Sequence, residues 1–219
     1  GKYIMSYTFT TLKQAIQDYT QNSETTFVNN LNSFITNAEE RLLKLIELDY
    51  FRENASASMT SGNQYLSMPA DYLASFSLSF TNASGEKVFL LQKDVNFLQS
   101  FNPNPSTTGE PRYYSTFDVD NFIIAPTPNA DYAVELHYYY RPKSITVTTD
   151  GTSWFGTNAP DALLYGSLIE AYTFMKGEAD VMAMYQNRFV EAAQRLKNYG
   201  EGVENTDAYR TGLVRIPKT

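Results

Sequence analysis

A chain with one histidine and no cysteine has few routes to polar chemistry. No second imidazole can join His137 at a metal, no thiolate is available, and any Ser-His-Asp relay would have to be built on this single ring. His137 lies among tyrosines in an alternating run, which favours a structural or surface-exposed strand residue. Asp118 and Asp120 are closely spaced carboxylates of the kind that serve acid-base catalysis or bind Ca²⁺. Their setting, F-D-V-D-N-F, reads more strongly as a hairpin turn, where Asp and Asn satisfy nearby backbone groups. Glu170, Glu178 and Asp180 fall near expected helix ends, where negative charge is cheaply placed. Gly151 to Gly156 reads G-T-S-W-F-G, with no following lysine and no preceding buried strand, so it is a loop and not a phosphate cradle. Two carboxylates that meet in space would suffice for glycoside hydrolysis, which keeps that reaction as a minor alternative. Otherwise the residues point to no enzyme, no metal and no cofactor.

The elements that would position such groups change period along the chain. Leu12, Ala15, Ile16 and Tyr19 predict a short helix capped by Thr10 or Thr11. Phe27, Leu31, Phe34, Ile35, Ala38, Leu42, Leu45 and Ile46 predict a long one over residues 24–48, with Ser23 as its N-cap. From about Ala55 the period falls to two. Leu73 to Phe80 and Val88 to Leu90 predict a hairpin turned at Asn82-Ala83-Ser84-Gly85, and Asp94 to Phe101 is a helix candidate. A polar loop over residues 102–111 is followed by a second hairpin, Tyr113 to Phe117 with Phe122 to Ala125. Tyr132 to Tyr140 is a long strand with Val134, Leu136, Tyr138 and Tyr140 on one face, and Ile145 to Thr149 is a short strand candidate. After Trp154 the helical period returns, with Thr157 or Asn158 as cap, Pro160 in the first turn and a stripe of Leu163, Leu164, Leu168, Ala171 and Phe174. Gly177 interrupts it, and a final helix over residues 178–199 ends at Gly200.

The expected fold is therefore α+β. Four helices from both chain ends, residues 6–52 and 154–200, form a bundle; residues 53–153 form an inserted antiparallel β subdomain; residues 201–219 form an extended tail. That tail carries Arg210, Leu213, Val214, Arg215, Ile216 and Pro217, apolar anchors and cations suited to ordering on a partner. Gly1 to Ile4, ahead of Met5, read as an added or upstream extension. No basic-then-apolar leader and no membrane span are expected. The net charge is -7, without runs of Lys or Arg, which argues against gripping nucleic acid through its phosphates; DNA could still pass such a surface without being held. The 17 Tyr and 14 Phe suit either a β layer or subunit interfaces.

The run from Trp154 to Lys176, W-F-G-T-N-A-P-D-A-L-L-Y-G-S-L-I-E-A-Y-T-F-M-K, resembles a segment of the tailed-phage head-to-tail adaptor (connector) family, the podovirus-type adaptors and upper tail-tube proteins. The matching residues are Trp154, Pro160, Asp161, Leu163, Leu164, Tyr165, Gly166, Leu168, Glu170 and Ala171, followed by an acidic break at Gly177 to Asp180. Phe122 to Pro128 and Tyr138 to Pro142 resemble further segments in the same order. The resemblance implies a structural virion protein of the neck, made in the host cytoplasm, that assembles as a dodecameric ring. It implies the portal protein and a tail nozzle or tail-tube protein as partners, no membrane, and DNA passing without sequence-specific binding. It also implies that the tail residues from Arg210 to Pro217 anchor on the portal. A gatekeeper or tail-completion ring is the nearest alternative, and a surface-binding module a more distant one. Independently of the resemblance, Gly166 among large residues predicts close approach by another helix.

Overall fold

The computed structural model describes residues 5–46 and 51–210, with side chains described through residue 198. The chain divides into a helical unit built from both ends, residues 1–50 and 142–219, and a β unit, residues 51–141. The fold is α+β, with six helices among the described residues.

In the helical unit α1 (Phe9–Thr20) starts one turn earlier than its stripe suggests. Thr8, and not Thr10 or Thr11, is the N-cap, and it trades hydrogen bonds with Thr11 in a capping box. Helix α2 (Thr25–Leu45) follows an N-cap, Glu24, that makes no side-chain cap bond, and it stops where Ile46 turns extended. Its buried face is Phe27, Leu31, Phe34, Ile35, Ala38 and Leu42, the expected face without its last two residues: Leu45 is exposed, and Ile46 lies past the helix end. Helix α4 (Trp154–Asn158) is a single turn capped by the Ser153 hydroxyl, which accepts from Gly156 N–H at 3.1 Å. Thr157 and Asn158 thus end one helix instead of capping the next. Helix α5 (Pro160–Met175) has proline in its first turn and Asp161 beside the positive helix end. Helix α6 (Ala179–Arg210) corrects an expectation: its backbone passes through Gly200 to Arg210 without stopping. A glycine permits a left-handed stop but does not impose one, at a cost of only about 1 kcal/mol inside a helix.

Helix α5 is the hub of this unit. Helices α1, α2, α4 and α6 all pack on it, and it buries Ala162, Leu163, Leu164, Gly166, Ser167, Leu168, Ile169 and Ala171, nearly all round. A helix surrounded in this way needs apolar residues beyond one stripe, which is why Ile169 and Ala162 join it.

Residues 142–153 belong to the helical unit. The short strand expected at Ile145 to Thr149 is instead a turn; among the described residues the helical unit holds no strand for it to pair with. Ile145 is fully buried, and its N–H donates to Glu39 Oε1 of α2 at 2.9 Å. Glu39 itself is only 4% exposed, and among the described residues its Oε2 has no hydrogen-bond partner. Burial raises its pKa above the ordinary glutamate value, against smaller lowering by Ser144 and the Ile145 N–H.

The β unit stacks two four-stranded sheets. The first has the order β1 (Arg52–Met59), β10 (Tyr132–Tyr140), β3 (Tyr72–Thr81), β4 (Lys87–Phe89), all antiparallel. The second has the order β2 (Tyr65–Ser67), β8 (Asn121–Ala125), β7 (Tyr113–Thr116), β5 (Leu91–Gln92), with β5 parallel to β7. A two-strand parallel pair, β6 (Thr108–Gly109) with β9 (Thr127–Pro128), completes it. Leu78, Phe80, Val134, Leu136 and Tyr138 of one sheet meet Leu66, Tyr114, Phe122 and Ile124 of the other. Helix α3 (Val95–Phe101), capped by Asp94, covers the far side of β8 by packing Leu98 on Ile123 and Ala125. Buried on both faces, β8 reads as the continuous apolar run F-I-I-A.

The Glu39 pKa sets the sign of a pH effect. A carboxyl whose folded pKa lies above its unfolded value costs nothing while protonated in both states, and folding loses stability as pH rises through the interval between the two. Glu39→Gln removes that loss and keeps the acceptor for Ile145 N–H. Urea unfolding from about pH 4 to 8 is expected to move the stability difference progressively in favour of the variant as pH rises. A difference that is flat in pH would contradict it.

Candidate functional site

The adaptor-like segment from Trp154 to Lys176 is built as a packing centre. The α4 turn places Phe155 in the core and brings Gly156 against the chain entering α1: Tyr7 N–H donates to Gly156 O at 2.8 Å. A Cβ on Gly156 would sit 2.6 Å from Tyr7 O, so only glycine fits there. Trp154 meets Phe155 edge-on at 5.4 Å. Pro160 and Asp161 open α5, and Leu164 is buried beneath them.

Gly166 stands where three helices converge. A Cβ added to it would lie 3.0 Å from Ala38 Cβ of α2 and 3.0 Å from Phe189 Cε2 of α6. Tyr165, beside it, stacks on Tyr185 of α6 with centroids 6.2 Å apart and planes 29° from parallel. Tyr172 and Tyr19 also reach Tyr185, at 5.1 and 6.4 Å. Burial first, then Tyr172, pushes the Tyr185 hydroxyl up to about 12. On the other flank Glu170 Oε1 accepts from Arg41 Nη2 at 2.6 Å, tying α5 to α2. Trp154, Pro160, Asp161, Leu164, Tyr165 and Gly166 are thus placed in one helical framework, and their contacts are those of a scaffold.

Of the proposed portal-anchoring residues, Arg210 is the last residue of α6 described, and Leu213, Val214, Arg215, Ile216 and Pro217 lie outside the described residues.

The polar candidates of the β unit do not converge. Asp118 Oδ1 accepts from the N–H groups of Asp120 and Asn121, both at 2.8 Å, and these bonds hold its carboxyl below the usual range, the Asp120 N–H contributing most. It is a turn residue. His137 Nε2 lies 2.7 Å from Glu135 Oε1, and Lys87 Nζ lies 2.8 Å from Glu135 Oε2; these two neighbours, Lys87 first, lower the Glu135 pKa. No group of three or more His, Asp or Glu is placed to hold a metal ion among the described residues. Nor, among them, is any helix long and apolar enough to cross a membrane.

One arrangement escaped sequence reasoning. A groove of about 300 Å³ on the first sheet is lined by Arg52, Glu53, Asn54, Phe76, His137 and Tyr138. It depends on strand register, and Arg52 opens a strand too polar to show an apolar alternation. On the opposite, core-facing side of the same strands the Tyr138 hydroxyl donates to Asp71 Oδ1 at 2.9 Å and Glu53 Oε2 at 3.3 Å, and burial followed by these carboxylates raises its pKa.

Comparison with known proteins gives one family: the profile of the SU10 adaptor protein matches residues 7–215, across both units. No curated protein matches the chain.

The Gly166 crossing gives a direct test. Gly166→Val is expected to cost about 1–3 kcal/mol or more by overpacking, read from chemical denaturation. Ala38→Gly, made alongside it, should recover part of that loss. Additive effects of the two changes would show that the crossing does not have this geometry.

Proposed function

The chain belongs to the SU10 adaptor protein family, a family of phage structural proteins, and on that premise we propose that it is a head-to-tail adaptor ring subunit of the virion neck. In this reading it links the portal to the tail nozzle or tail tube and forms part of the wall past which DNA moves. The observation that carries it is the extent of the family match. It spans the helices of both chain ends, the β unit between them, and the terminal segment as far as Arg215.

The physical features agree with an assembly role. Tyr19 of α1, Val28 of α2, Phe174 of α5, and Met184 and Val190 of α6 are large apolar side chains left 38 to 63% exposed on the helical unit. Neighbouring copies standing side by side, each contributing its helices as a bundle, would cover such residues. The dodecameric count comes from the resemblance alone. A net charge of -7 suits a conduit, since a basic wall would bind phosphates and retard their passage.

The terminal segment is the proposed portal anchor. Leu213, Val214, Ile216 and Pro217 supply apolar area, and Arg210 and Arg215 can each grip a carboxylate through two parallel N–H donors. The chain then holds the ring on the portal by its end and presents the rest to the tail. A gatekeeper or tail-completion ring would share the ring but not the portal anchor.

Removing residues 211–219 leaves α6 intact as far as Arg210. Light scattering of the full chain mixed with the portal protein of the same particle is expected to show a ring-sized complex. The truncated chain should stay unbound. Equal assembly by both forms would move the portal contact elsewhere, and no assembly by either would overturn the adaptor reading.

A further inference from the structure

The outer face of the first sheet carries a cation, Arg52, that forms no ion pair among the described residues. Strand register places Arg52 opposite Tyr139, Asn54 opposite His137 and Ser56 opposite Glu135 on that face. The neighbouring Lys87 and His137 side chains are engaged: both lie within 3 Å of the Glu135 carboxylate, and Asn54 Nδ2 donates to it at 3.5 Å. Arg52 has no carboxylate at ion-pair distance among the described residues. Its guanidinium lies over two rings instead, 5.0 Å from the Phe76 centroid and 5.6 Å from the Tyr139 centroid. A guanidinium supported on ring faces keeps its in-plane N–H donors available for two-pronged recognition of a carboxylate.

Phe76 is held there by an irregularity in the pairing of β3 with β10. Ser77 pairs with His137 and Ser75 with Tyr138, so Phe76 is the extra residue between them. A bulge of this kind re-aims a side chain, and Phe76 stands 60% exposed beside Arg52 at the mouth of the groove. Glu53 and Tyr138 border the groove through their strands, but their side chains turn to the opposite face, where Glu53 Oε2 accepts from the Tyr138 hydroxyl at 3.3 Å.

We propose that this groove is a docking site for an acidic segment of a partner protein, with Arg52 taking a side-chain or terminal carboxylate and Phe76 covering an adjoining apolar group. Local charge complementarity chooses the occupant: among the described residues the Arg52 guanidinium has no carboxylate at ion-pair distance, so a partner's carboxylate can pair with it, whereas a phosphate backbone would need several cations. Arginine and aromatic residues are also the side chains that most often dominate binding at protein interfaces. The proposal rests on the adaptor reading only in expecting a protein partner.

The chain's one histidine lines the groove and gives a single ring signal in an NMR titration of the full chain. The probe is a blocked hexapeptide alternating Glu and Phe, with its Gln and Phe counterpart as control. The acidic peptide is expected to shift the His137 ring signal saturably, with affinity about tenfold or more above the control. Arg52→Ala and Phe76→Ala should each reduce that affinity similarly, with the thermal midpoint unchanged. Phe89→Ala, on the same sheet but outside the groove, should leave it intact. Equal shifts with the control peptide, unchanged affinity in Arg52→Ala, no shift at millimolar peptide, or equal competition by duplex DNA would each overturn the proposal. Portal binding by Arg52→Ala, run in parallel, keeps the two readings apart: it should match that of the unaltered chain even where peptide binding is lost.

Discussion

The space left empty at Gly166 sets the architecture of the helical unit. Helix α5 can be a hub only if α2 and α6 both reach its backbone, and at Gly166 they do so with Ala38 and Phe189 at the distance where a methyl group would collide. Close approach brings the other contacts within range: Tyr165 on Tyr185 along one flank and Glu170 with Arg41 along the other. Buried apolar area then supplies most of the stabilisation, about 1.5–3 kcal/mol for each large side chain fully buried. The tyrosine cluster and the ion pair fix which residues face each other. The same hub accounts for the way the two chain ends, far apart in sequence, form one unit around an insertion.

The β unit works differently. Its core comes from alternation on β10 and β3, and its second sheet is covered by α3, so both faces of β8 are apolar. One surface open to recognition is the outer face of the first sheet, where small polar residues surround Arg52, Phe76 and the Glu135 network. An assembly protein whose helices take neighbours and whose sheet takes a partner would separate the two tasks by unit.

Much of this organisation was readable in the residues, because the signals were local. Pro160, Asp161 and the leucine stripe mark α5; Val134, Leu136 and Tyr138 mark β10; Asn82 to Gly85 marks a hairpin turn, where Asn82 Oδ1 accepts from both Ser84 and Glu86 N–H. The misses were non-local. Ile145 to Thr149 alternates like a strand, yet the Ile145 N–H is satisfied by a carboxylate more than a hundred residues earlier. Strand β1, R-E-N-A-S-A-S-M, sits at a sheet edge and turns Glu53, Ala55, Ala57 and Met59 inward, too little apolar bulk to announce a strand. Gly200 looked like a stop because glycine commonly is one, but the backbone stays helical to Arg210. The Arg52 groove required both a register and a bulge, and neither is written in spacing.

The central claim is that the end of this chain holds it to the portal while the rest forms the ring. A photoreactive residue placed at Val214 and activated in assembled particles tests it directly. The account predicts crosslinks from position 214 to the portal protein. Crosslinks that run only to the tail proteins, or only to other copies of this chain, would contradict it.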